Sequence, residues 1–131
     1  MTPLYTSLEK GRPYVLSVLR IVVALLFLEH GLQKYVGFPS AGPPMTTLLY
    51  VQGVIEIVGG ILLLIGAYTR VVGFILAGDM AAAYFMAHLP RSFFPAVNGG
   101  DAAVLFCFAF FYIFFAGGGP WSVDRALLKQ D

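Results

Sequence analysis

Charge is what this chain has least of. Lys, Arg, Asp and Glu together make up 11% of its 131 residues, whereas a soluble domain carries about 25%. A small body is mostly surface, and so few charged groups cannot give it a water-facing coat. Cysteine is nearly absent too. The single Cys107 excludes an intrachain disulfide and a Cys-x-x-Cys redox pair, so electrons for any redox reaction must come from a bound cofactor, from the substrate or from another protein. There is no basic run, and the formal net charge is only +1, which excludes nucleic acid as a partner. Internal repeats and low-complexity tracts are missing as well.

What is present is apolar. Hydrophobic residues make up 59% and the mean hydropathy is +0.82, so lipid is the solvent that fits. Four apolar stretches lie between breakers, at about 14–35, 45–65, 71–89 and 99–117. Each has about the 17–22 residues needed to cross a hydrocarbon core as a helix. Lipid cannot satisfy backbone N–H and C=O groups, and the pattern does not alternate as a barrel's would, so these stretches must be helical. Lys10 and Arg12 resemble the basic start of a signal peptide. However, Arg20 within the stretch and Glu29-His30-Gly31 at its end predict a retained helix. Short loops make neighbours antiparallel. The expected fold is therefore all-α, a single integral membrane domain forming a four-helix up-down-up-down bundle, followed by a tail over 118–131.

The cations set the orientation. Lys10, Arg12, Arg70, Arg125 and Lys129 fall on the side of both termini, with Lys34 and Arg91 opposite. This bias predicts cytoplasmic termini, with Trp121 as an interfacial anchor. Ser122 is expected to cap a short tail helix through Leu128, with Asp124 in its first turn. Small residues at close-packing spacings, Gly73 with Ala77 and Ala81, Gly78 with Ala82, and Gly59-Gly60, predict helix–helix contact.

Ionisable groups inside a span cost about 2.5–3.5 kcal/mol each on insertion scales, so they face the interior. By depth they form two groups. Arg20 and Asp79 fall in the cytoplasmic half, at matching depth, and are expected to form a structural ion pair. His30, Lys34, Gln52, His88, Asn98 and Asp101 fall in the outer half, with Glu56 near the midplane. The outer group has the makings of a pocket that binds a polar head group and relays protons. Simpler roles also fit: Lys34 and His88 reaching to the membrane boundary, Asp101 capping the last helix. Asp79 and His88 are half a turn out of phase on one helix, so either they serve different sites or the helix is distorted before Pro90. The phenylalanines of the last stretch read as lipid contact and packing, and Cys107 as a small hydrophobe. No metal site is expected.

A set of motifs in order along the chain resembles the DoxX family of small bacterial membrane proteins. These are Leu19-Arg20, His30-Gly31-x-x-Lys34, Glu56-x-x-Gly59-Gly60, Gly66-x-x-Thr69-Arg70, Asn98-Gly99-Gly100-Asp101 and Gly117-Gly118-Gly119-Pro120-Trp121-Ser122-Val123-Asp124. The resemblance implies a four-helix membrane fold in the bacterial inner membrane. It also implies an association with quinone chemistry, since relatives include the membrane part of thiosulfate:quinone oxidoreductase and proteins of the oxidative stress response. The first functional expectation is thus a quinone- or quinol-binding membrane component of a redox or detoxification system. His30, Glu56, His88 and Asp101 would exchange protons, Lys34 would stabilise negative charge, and Gln52 and Asn98 would help hold the head group. The chain has no electron carrier of its own, so a bound quinone and a soluble or membrane redox partner are implied. Three other expectations are a non-enzymatic anchor or scaffold for a partner, a small-solute transporter acting as a homo-oligomer, and haem held between His30 and His88.

Overall fold

The computed structural model describes residues 2–129; Met1 and the last two residues of the expected tail, Gln130 and Asp131, lie outside the described residues. The described residues contain helices and no strand. Helix α1 spans Pro3–Val36, α2 Thr47–Ile65 and α3 Thr69–Ala83, the last running on into a π-helical turn at Tyr84–His88. A single turn, α4 (Pro95–Asn98), precedes α5 (Asp101–Ala116), and another, α6 (Val123–Ala126), ends the chain.

Local chemistry explains most of these ends. Thr2 and Thr46 cap α1 and α2 by accepting from the N–H groups of Tyr5 and Leu49, each at 3.3 Å, and Pro3 at the first helical position suits α1's start. Left-handed glycines stop the helices: Gly37 after α1, Gly66 after α2 and Gly99 after α4. At 34 residues α1 is about 51 Å long, longer than the expected crossing, because its cap lies well before the apolar run. The last long helix is shorter than the expected span. Three helices, Pro3–Val36, Thr47–Ile65 and Thr69–His88, are long and apolar enough to span a membrane, whereas α5 has only 16 residues, about 24 Å.

Helix α1 packs mainly on α2, and α3 on α5, with narrower seams between α2 and α3 and between α1 and α5. The core between them holds Ala24, Phe27, Leu63, Leu76, Phe110 and Ile113, all fully buried. Glycines set the closest approaches. A Cβ at Gly73 would lie 3.0 Å from the Phe110 carbonyl oxygen on α5, and one at Gly31 would lie 2.8 Å from Ile57 and 3.2 Å from Glu56 on α2. Gly78 departs from the expected packing role, since nothing lies within 4 Å of its would-be Cβ and both it and Ala82 are exposed. Outward-facing Val15, Val22, Val54, Ile75, Leu105, Phe108 and Phe115 make the exterior apolar, as a lipid-facing surface requires.

Candidate functional site

Most of the buried polar groups gather in two clusters, one on each side of the apolar core. At one end, Arg20 of α1 is completely buried. Its guanidinium donates to the carbonyl oxygens of Gly118, of Trp121 (2.6 Å) and of Leu64 (3.5 Å). Ser17, one turn earlier, donates to the Gly118 oxygen (3.0 Å) and accepts from the Trp121 N–H (3.1 Å). Asp124 accepts from the N–H groups of Tyr68 (2.7 Å) and Thr69 (2.8 Å), so it caps α3, whose own N-cap residue supplies no side-chain bond. The tail is thereby tied beneath the bundle. Ser122 caps α6 as expected, accepting from the Arg125 N–H at 3.2 Å, but α6 is a single turn, Val123–Ala126, rather than a helix to Leu128.

The expected Arg20–Asp79 ion pair is not formed. The glycine-rich loop leaves carbonyl oxygens that no helix satisfies, and Arg20 takes these instead. Asp79 lies farther along α3 with Gln52, where the two line a cavity of about 160 Å³ between α2 and α3. One of its carboxylate oxygens is buried without a hydrogen-bond partner.

At the other end, a cavity of about 300 Å³ is lined by His30 and Lys34 of α1, Gln52 and Glu56 of α2, and His88 at the end of the π turn. Phe27, Met80 and Phe106 form its apolar walls. Lys34 donates to the Glu56 carboxylate and to the Gln52 side-chain oxygen (3.0 Å). Only 1% of the Glu56 side chain is exposed, against 11% for Lys34. His30 bonds through Nδ1 to the Leu26 carbonyl oxygen (3.1 Å), and His88 through Nδ1 to that of Asn98 (3.2 Å). A carbonyl oxygen only accepts, so Nδ1 carries the proton in both rings. In its neutral form each imidazole then keeps Nε2 as an acceptor.

Five of the expected residues therefore meet at one cavity. Asn98 does not line it: its amide donates to the Tyr84 hydroxyl (3.1 Å) and the Ser92 carbonyl (2.9 Å) and accepts from the Gly100 N–H (2.8 Å). Its influence on the site runs through its own backbone oxygen, which holds His88. Asp101 is exposed in the first turn of α5, outside the cavity, because Gly99 and Gly100 turn the chain before that helix begins. The phase conflict between Asp79 and His88 has both its answers. The π turn distorts α3 before Pro90, and the two side chains line different cavities, which share Gln52, Ala83 and Ala87.

Three wall residues escaped the reading of the sequence. Phe106 presents its ring to that of His30 at 5.6 Å and 84°, beyond the lipid and packing role assigned to the phenylalanines. Phe27, one turn before His30 and Gly31, carried a signal in its spacing. Met80 carried none.

Comparison with known proteins accords with this architecture. The DoxX family profile matches residues 15–89. An uncharacterized protein of Haemophilus influenzae is 45% identical over 95% of this chain and 98% of its own length. An uncharacterized membrane protein of Mycobacterium tuberculosis is 29% identical over 92% of this chain and 85% of its own. A Bacillus subtilis protein named "Putative oxidoreductase CatD" is 34% identical over 58% of this chain and 61% of its own. No solved structure matches. With its apolar helices and this coverage by the family profile, the chain is a membrane protein of the DoxX family.

Proposed function

We propose that the cavity receives the ring of a quinone or quinol, and that the chain is the membrane component of a redox or oxidative-stress detoxification system. The observation that carries this is the convergence of His30, Lys34, Glu56 and His88 on one cavity with apolar walls. Such sites are mostly apolar with a few placed polar groups, which suits a ring bearing two oxygens and an isoprenoid tail. The resemblance of part of the chain to a protein named as an oxidoreductase supports the same reading.

In the proposed chemistry, reduction of a quinone adds two electrons and two protons. The electrons come from a redox partner. A protonated histidine donates to a quinone oxygen, and its neutral form, with Nε2 free to accept, receives a proton from a quinol hydroxyl. Lys34 stabilises negative charge developing on the ring oxygen. Gln52 and Glu56 hold the lysine in place. Asn98 positions His88, and Asp101 has no part in binding.

The same proposal has α5 crossing with the other three helices in up-down-up-down order within the bacterial inner membrane, both termini cytoplasmic. The C-terminal ends of α1 and α3 and the N-terminal ends of α2 and α5 meet at the cavity, which supports the alternation. The cation bias supports the orientation.

The test is calorimetric titration of the protein in nanodiscs with a short-tailed quinone. Binding is expected, weakened about tenfold or more by Glu56→Gln or His30→Ala, as loss of a charged hydrogen-bond partner predicts, and unchanged by Asp101→Asn. Equal affinity in wild type, Glu56→Gln and His30→Ala would discard the assignment and favour a scaffold whose buried charges only set helix register.

A further inference from the structure

The polar cavity has two neighbours in series between α2 and α3. Gln52, Ala83 and Ala87 line both it and the cavity of about 160 Å³ that holds Asp79. That middle cavity in turn shares Ile55 with a third, of about 260 Å³, lined only by aliphatic side chains and Gly59. From Gln52 to Leu62 the series follows α2 for about 15 Å, and its walls become wholly apolar along the way.

This seam is one of the two narrow ones. The other, between α1 and α5, is shut beside the polar cavity by rings: Phe106 meets His30 and Phe27, each at 5.6 Å, and Phe27 meets Phe110 at 4.9 Å. Between α2 and α3 the partition is only the Gln52 amide and two methyl groups. Ala87 belongs to the π turn, where the helical ladder is already interrupted. Leu48, Val51 and Met86 at the rim of the middle cavity are exposed and apolar, so the seam opens on lipid.

We propose that the α2–α3 seam is a lateral portal: a quinone bearing a long isoprenoid chain enters through it from the bilayer, and the chain stays in the groove while the ring occupies the polar cavity. The portal rests on the quinone reading and adds to it the route and the place of the tail. A cavity of about 150 Å³ takes a benzene ring, so the middle cavity has room for one isoprene unit and the third for at least one more. Chain and aliphatic wall exchange one set of hydrocarbon contacts for another, so the groove directs the tail without gripping it. Asp79 has a part in this route. Its buried, unpartnered carboxylate oxygen gives the hydroxyl of a passing quinol an acceptor before it reaches Gln52.

Photolabelling of the full-length protein in nanodiscs tests it, with a benzoquinone whose decyl tail carries a diazirine close to the ring. Label displaced by excess short-tailed quinone is expected to concentrate on Leu48, Val51, Ile55 and Met86. A second measurement uses Ala82→Trp, which places a large side chain in the middle cavity at an exposed position that does not line the polar one. The affinity for the decyl quinone relative to its methyl-bearing homologue should fall about tenfold, as overfilling a cavity predicts, with thermal unfolding showing that the variant remains folded. Displaceable label on α1 and α5 instead, or an unchanged affinity ratio in Ala82→Trp, overturns the portal and leaves the ring site standing. Label that short-tailed quinone does not displace removes the ring site, and the portal with it.

Discussion

Replacing Lys34 by methionine would leave the Glu56 carboxylate alone in the bundle interior. Methionine matches the length of the lysine stem, so the packing lost is small and the experiment isolates the charge. Glu56 is almost fully enclosed and Lys34 nearly so, which places the pair among buried ion pairs rather than surface ones. Removing one partner of such a pair costs about 3–5 kcal/mol, because the charge left behind is neither hydrated nor compensated. The Gln52 oxygen that also accepts from Lys34 loses its donor too. The expected result is an unfolding equilibrium shifted by roughly two to four powers of ten, at about 1.4 kcal/mol per tenfold. Lys34→Met/Glu56→Leu should regain most of the loss, since a buried pair exchanged for apolar groups of similar volume is often neutral. Denaturant titration in detergent micelles, followed by helical circular dichroism, measures both variants. A Lys34→Met protein within about 0.5 kcal/mol of wild type, the range of ordinary surface substitutions, would show that Glu56 is not held as a paired, enclosed carboxylate. A double variant no more stable than Lys34→Met would refute the reasoning in the same way.

Arg20→Met should cost upward of about 3 kcal/mol, because it strips charged donors from the Gly118 and Trp121 carbonyls; thermal unfolding and limited proteolysis of the tail would report it, and a resistant tail would contradict it. Asp124→Ala should lower stability by about 1–2 kcal/mol through loss of the α3 cap, with amide exchange rising at Tyr68 and Thr69; unaltered exchange there would count against the capping role. Gly119→Ala should destabilise by more than the roughly 1–2 kcal/mol of a left-handed residue alone, since its Cβ would collide with the Ser17 hydroxyl. Gly78→Ala, a substitution into open space on a helix, should be neutral or gain up to about 1 kcal/mol; a matched pair of melting curves separates the two glycines.

The spacing of side chains along each helix, rather than their depth alone, decided which expected residues met. His30 and Lys34 are four apart on α1, and Gln52 and Glu56 four apart on α2, so each pair shares a face by helical geometry alone. Gly31 between the first two lets α2 approach, and these residues converged as their spacing suggested. Arg20 and Asp79 were matched by depth, a coordinate that says nothing about rotation. Its true acceptors are backbone oxygens, which no residue letter displays. Asp101 lies outside the cavity for a different reason. The Gly99-Gly100 turn sets the phase at which α5 begins, and phase across a turn is not additive in residue number.

The amino-acid sequence alone determined that this chain is helical and bound for lipid, because hydropathy and glycine or proline breaks act locally, within a turn or a span. It also marked Lys34, Glu56 and Arg20 as groups that must find partners out of hydrocarbon. Which partners they found was decided only by the tertiary structure. Asp124 caps a helix that begins 55 residues earlier, and Arg12, Arg70 and Arg125 line one cavity because the tail folds back beneath the bundle. Such contacts depend on how whole helices rotate and cross, and that is settled by packing summed over the entire interface.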